Sequence, residues 1–208
     1  METSLRSENI YSLPVLYVIF FVSGLAALLY QLLWQRALFG IYGTNTESVT
    51  IVVAAFMLGL GLGSVAGGKL SKILKYPLPV VFGLLELFTG VYGFVSLELF
   101  YWVGSYTAGV SVLMAGILAF LLVVFPTSLM GATFPILVAY VVKQTNDVGR
   151  SVGTLYFVNT LGSAAACFIA SVYLFNALGM RGSVFFAAIL DVLIGVLILG
   201  LWMIRRQK

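Results

Sequence analysis

The sequence predicts an all-α fold, a polytopic transmembrane helix bundle, and three observations carry that prediction. Of its 208 residues, 62% are hydrophobic and only 9% charged, with a mean hydropathy of +1.11. A soluble domain carries about 25% charged residues, and here the apolar excess runs through the whole length, so a protein core cannot absorb it. The apolar runs also exceed the roughly 20 residues that span about 30 Å of hydrocarbon. Finally, they do not alternate, which excludes a barrel of roughly 10-residue strands. Only helices or closed barrels satisfy the backbone in lipid.

Apolar segments follow one another at 14–38, 47–70, 78–102, 108–142, 150–176 and 182–204, separated by short breaks rich in Gly, Pro, Asn and Ser. The organisation expected is a short cytoplasmic N-terminal segment (1–12), one transmembrane helical domain (13–204) and a basic cytoplasmic tail (205–208). The first apolar run is too long for a cleaved signal peptide. The fourth segment is the ambiguous one, since 108–142 would measure about 52 Å as a straight helix. It contains Pro126, Gly131 and Pro135. It therefore reads either as one span broken at Pro126–Pro135, giving six spans, or as two short spans, giving seven. Charge arbitrates by the positive-inside rule. With six spans, Arg6, Lys69, Lys72, Lys75, Lys143, Arg150, Arg205, Arg206 and Lys208 share one side, with Arg181 opposite and Arg36 near the outer end of span one. With seven the bias disappears. The prediction is six spans, a broken fourth helix, and both termini on the cytoplasmic side of the cell membrane.

Composition narrows function. There is no His, hence no imidazole metal site or His-based acid–base catalyst. Cys167 stands alone in an apolar segment, so no intrachain disulfide or CxxC pair can form. No metal-ligating constellation, cofactor motif or paired catalytic carboxylates on one loop is present, and the expectation is a protein without a cofactor that is not an enzyme. The formal charge of +4 fits basic loops at a membrane face better than nucleic-acid binding.

Two acids stand inside apolar spans. Glu86 and Asp191 have similar contexts, Leu85-Glu86-Leu87-Phe88-Thr89-Gly90-Val91 and Leu190-Asp191-Val192-Leu193-Ile194-Gly195-Val196. An intramembrane carboxylate costs about 2.5–3.5 kcal/mol on insertion scales and marks function by default. Each lies about nine residues, roughly 13 Å, from opposite faces, the depth that an inverted three-plus-three repeat gives its midplane sites. Gly63-Ser64-Val65-Ala66 against Gly162-Ser163-Ala164-Ala165 supports the same repeat. Asn159 sits at a comparable depth in span five. Glu86, Asn159 and Asp191 are thus expected to line a midplane site for a proton or organic cation. The competing reading is that each acid is protonated, or bonded to a neighbouring Ser, Tyr or Asn, and serves packing.

Small residues recur at Gly59, Gly63 and Gly67 and at Gly162, Ala166 and Ala170, faces that let helix backbones approach closely. Packing within the bundle is the plainer reading, and a dimer face the sharper one. Gly61–Ala66 matches a dinucleotide fingerprint, but without a preceding strand the match is empty. Pro126, Gly131, Thr133 and Pro135 form a candidate helix break or gate, because each proline frees an upstream carbonyl. Arg36 is expected to snorkel or pair with Glu47 or Glu98. Tyr30, Trp34, Tyr101, Trp102 and Trp202 read as interfacial aromatics.

Several strings carry a family resemblance: Ser23–Tyr30 with Trp34 and Arg36, Phe56–Ser64 running to Gly67-Gly68, Pro126–Pro135, and Gly149–Gly153 followed by Leu155-Tyr156 and Asn159–Gly162. Over roughly residues 20–200 the chain resembles the membrane-embedded part of the fused major-facilitator/spermidine-synthase-like proteins. In that family the helices are commonly joined to an aminopropyltransferase-like domain or to further helices, and these 208 residues contain neither. The resemblance therefore implies half of a major facilitator rather than spermidine synthesis. Two departures matter. Gln31 stands where the family has an acid, and Ser71-Lys72 stand where it has Asp-Arg.

The function expected is a transporter-like or channel-like unit for a cation or small polar metabolite, including a polyamine-like one, in a lipid bilayer. The alternative is a non-catalytic scaffold or anchor. The partners expected are a second copy of the chain in a homo-oligomer or a protein supplied in trans.

Overall fold

The computed structural model describes residues 11–42, 46–74, 76–107 and 112–206. Arg6, Lys75, Lys208 and the Glu47 side chain, used in the arguments above, lie outside what is described. Among the described residues every regular element is helical: α1 (Leu13–Tyr42), α2 (Thr46–Ile73), α3 (Leu78–Thr107), α4 (Val112–Thr145), α5 (Val148–Ile169), a π-helical turn (Ala170–Leu174) and α6 (Phe175–Arg206). Five runs are long and apolar enough to cross a membrane, namely Leu13–Ile41, Val49–Ile73, Leu78–Thr107, Met114–Thr145 and Val148–Arg206.

The last run holds 59 residues, about 89 Å if straight, and it is not straight. Gly179 has φ 64° and ψ −171°, a conformation essentially restricted to glycine. The chain doubles back there, and the Ser183 hydroxyl ties the turn by donating to the carbonyls of Gly179 and Leu174 at 2.6 and 3.2 Å. The α4–α5 reversal is tighter. Asn146 takes a left-handed φ of 54°, and the Asp147 carboxylate caps α5 by accepting from the Arg150 amide at 2.9 Å.

The expected break in the fourth helix is not there. α4 runs unbroken from Val112 to Thr145 with Pro126 and Pro135 inside it, which leaves no turn at which the seven-span alternative could divide it. Part of the reason lies in the neighbouring α3. Pro126 withholds the amide that would bond the Leu122 carbonyl, and the Tyr92 hydroxyl of α3 donates to that carbonyl at 2.7 Å instead. Thr127, Ser128 and Thr133 bond carbonyls of the preceding turn, as hydroxyls do in membrane helices.

The helices alternate in direction. α1 and α5 run parallel, since Asn159 Nδ2 donates to the Phe20 carbonyl and Ser163 Oγ, one turn on, to the Gly24 carbonyl. α2 and α4 also run parallel, with Gly59, Gly63 and Gly67 lying in turn against Thr127, Ser128 and Ala132. α3 and α6 run antiparallel, Gly83 against Ile198 and Gly90 against Ala188. Two core clusters fill the two ends. One holds Trp34, Phe56, Phe100, Val123 and Val184, and the other Leu16, Phe82, Ile136, Leu155 and Ile198. Lys69, Lys72, Lys143, Arg150, Arg205 and Arg206 all belong to helix ends near the second cluster. Tyr11 closes that end, its hydroxyl donating to the Ile198 carbonyl at 2.6 Å.

Contacts between helices recur in mirror image. Gly162 packs on the Phe21 carbonyl and Leu25 amide of α1, and Gly63 packs on the Ser128 carbonyl and Ala132 amide of α4. Gly24 meets the Asn159 carbonyl, and Gly131 the Leu60 carbonyl. α1–α3 and α4–α6 are therefore inverted copies of one arrangement, in which close approach leaves no room for a side chain at these positions.

Candidate functional site

The acids meet because their helices can close on each other. Gly83 and Gly90 flank Glu86 on α3, and each lets α6 approach to backbone contact. Glu86 and Asp191 are left 3% and 2% exposed. Both side chains line one small cavity between α3 and α6. Ser23 of α1 donates to Glu86 Oε1 at 2.7 Å, and the Tyr30 hydroxyl stands beside Asp191. Two adjoining carboxyls in a low-dielectric interior cannot both carry charge cheaply. Such a pair is suited to hold a proton or a small cation between its members.

Beside the pair is a cavity of about 10 Å³, room for roughly one water molecule. Its lining is Ser23, Ala27, Glu86, Thr89, Met130 and Asp191. The Thr89 and Tyr30 hydroxyls are buried without a hydrogen-bond partner among the described residues. Tyr30 packs over Gly93 and stacks on Trp34 at 4.8 Å between ring centroids. Trp34 in turn donates to Ser96 Oγ at 3.0 Å. A rigid aromatic wall between α1 and α3 thus positions the Tyr30 hydroxyl.

Of the residues singled out from sequence, the structure brings Glu86 and Asp191 together and places Asn159 elsewhere. The Asn159 amide is bonded to the Phe20 carbonyl at 3.3 Å in the α1–α5 seam, and the residue takes no part in lining the cavity. Pro126, Gly131, Thr133 and Pro135 lie along the α2–α4 seam in continuous helix. Gly59, Gly63 and Gly67 pack on α4 within the chain, and Gly162, Ala166 and Ala170 are buried on the matching face of α5 and the turn that follows it. Arg36 lies over the Phe175 ring at 4.9 Å, and Glu98, one of its two expected partners, pairs with Arg181 at 3.4 Å instead; the other, Glu47, lies outside the described side chains. Tyr30 and Trp34 are fully buried core residues, not interfacial ones, because each has a polar neighbour inside the bundle. Sequence reasoning missed Ser23, Tyr30 and Thr89. The available signal for Thr89 was its position one turn after Glu86 on the same helix. Comparison with family profiles, curated proteins and solved structures gave no match for this chain.

Proposed function

We propose that this chain is a six-crossing membrane unit of half-facilitator type that carries a proton or small metal cation through the Glu86–Asp191 pair. Both termini are assigned to the cytoplasmic side of the cell membrane. The observation that carries the reading is the meeting of two buried carboxyls from inverted repeats beside a small cavity. Inverted repeats place transport sites near the midplane, and intramembrane acids are costly where they serve packing alone. Six crossings fit the alternating helix directions and the Gly179 reversal. The orientation fits the gathering of Lys and Arg at one end. A space of about 10 Å³ suits a proton carrier or a bare ion and is too small for a polyamine-like cation in this conformation. The role requires no covalent chemistry, in keeping with a non-enzymatic protein. The motif resemblance to half of a major facilitator points the same way.

The test is ion flux into proteoliposomes, read with pH- and sodium-sensitive dyes under an imposed gradient. Glu86→Gln and Asp191→Asn are each expected to lower flux at least tenfold while the protein remains folded. Equal flux in wild type and both variants would overturn the proposal.

One observation favours scaffolding as a second reading. The cations Lys69, Lys72, Lys143 and Arg150 are exposed at a single end, a surface suited to an acidic partner. Purification in mild detergent separates the two readings. A stoichiometric partner lost on reversing these charges supports the scaffold, and a homogeneous preparation with flux supports transport.

A further inference from the structure

Thr89 departs from what the other buried threonines of these helices do. Thr107, Thr127 and Thr133 each donate to a carbonyl three or four residues earlier. Thr89 is 2% exposed, makes no such bond and lines the cavity shared by Glu86, Asp191 and Ser23. An unpartnered hydroxyl facing a void calls for an occupant, because a buried polar group without a partner is costly.

Three occupants fit the size. A proton is held by the carboxyl pair itself and needs neither the void nor Thr89. A water satisfies the hydroxyl and leaves any carboxylate charge uncompensated in the membrane interior. A dehydrated sodium ion is smaller than a water molecule and fits the same space, takes hard oxygen ligands and supplies the missing positive charge. Met130 on the facing wall is a soft thioether, unsuited to an alkali ion, so the ligand oxygens come from α3 and α6.

Resting on the reading of the acid pair as the cation-handling element, we propose that the Ser23–Glu86–Thr89–Asp191 cavity is a site for one dehydrated sodium ion. Glu86, Asp191 and Thr89 supply ligand oxygens, and Ser23 orients the Glu86 carboxyl. One ionised and one protonated carboxyl with one sodium ion make a neutral site. The strong field of an ionised carboxylate favours the smaller sodium ion over potassium.

The experiment uses the full chain purified in mild detergent, with thermal unfolding followed at constant ionic strength in sodium, potassium or choline chloride. Sodium at about ten times its dissociation constant is expected to raise the midpoint by about 3 °C over choline, with potassium matching choline. Thr89→Val, which removes the hydroxyl and keeps the branched shape, is expected to erase the sodium shift, as is Glu86→Gln. Binding of radioactive sodium to the folded protein provides a second readout if a variant unfolds. A sodium shift that persists in Thr89→Val, or that potassium reproduces, overturns the assignment. If the midpoint ignores sodium but responds to pH in wild type and not in Glu86→Gln, the sodium site falls and the proton reading of the pair stands. If neither cation nor pH distinguishes wild type from Glu86→Gln, both proposals fail.

Discussion

Gly90 and Gly195 are packed in mirror image. Gly90 rests on the Ala188 carbonyl and Val192 amide of α6, and Gly195 rests on the Gly83 carbonyl and Leu87 amide of α3. The same step along the chain relates all three pairs of positions, and it also carries Glu86 onto Asp191. The two acids therefore occupy equivalent places in two inverted repeats, on either side of one local pseudo-two-fold axis.

Equivalent glycines should have equivalent sensitivity. Gly63→Leu and Gly162→Leu are each expected to lower unfolding stability by about 1–3 kcal/mol through overpacking against backbone. Gly61→Leu, with nothing within 4 Å, should change it by less than about 0.5 kcal/mol. Thermal melting in detergent makes the comparison, and equal sensitivity at Gly61 and Gly63 would contradict the packing described.

The Tyr92–Leu122 bond compensates for a proline, and a double-mutant cycle can show it. Tyr92→Phe strands the Leu122 carbonyl and should cost about 1–3 kcal/mol. In a Pro126→Ala background the restored amide takes over that carbonyl, and the same change should cost well under half as much. An unchanged cost would mean that Tyr92 stabilises α4 by some other route.

Gly179→Ala places a side chain on a backbone conformation that only glycine adopts readily. A loss of about 1–3 kcal/mol is expected. Ser183→Ala should add a smaller loss by releasing the Gly179 and Leu174 carbonyls. Urea or thermal unfolding midpoints would register both.

Ser23 donates its hydroxyl to Glu86. Ser23→Ala should weaken the wild type by about 1.5–3 kcal/mol if it removes a hydrogen bond to a charged carboxylate. In a Glu86→Gln background the loss should be at least about 1 kcal/mol smaller. Additive losses in the two backgrounds would show that the bond is not coupled to the charge of Glu86.

Helix identity was legible from the sequence because long apolar runs and lipid leave the backbone one choice. The pairing of the acids was legible in outline, since similar strings around Glu86 and Asp191 suggested equal depth. Asn159 shows the limit of depth as a criterion. Depth fixes the level of a residue but not the direction it faces, and Asn159 faces a carbonyl in the α1–α5 seam. Tyr30 and Trp34 misled for the opposite reason. Aromatic residues near a span end suit the interface, but Ser96 and Asp191 gave these two polar neighbours inside the bundle. The unbroken α4 was hidden because the group that satisfies Leu122 comes from another helix, more than a span away in sequence.

Each helix makes its most extensive contact with one from the opposite repeat: α1 with α5, α2 with α4, and α3 with α6. During synthesis the first three segments must therefore wait in lipid for neighbours that have not yet emerged from the ribosome. A chain released after α3 would expose the glycine seams of α2 and α3 and the bonded pair Ser23 and Glu86, with Asp191 not yet made. The seam that joins the two acids, α3 against α6, is the last of the three that can close.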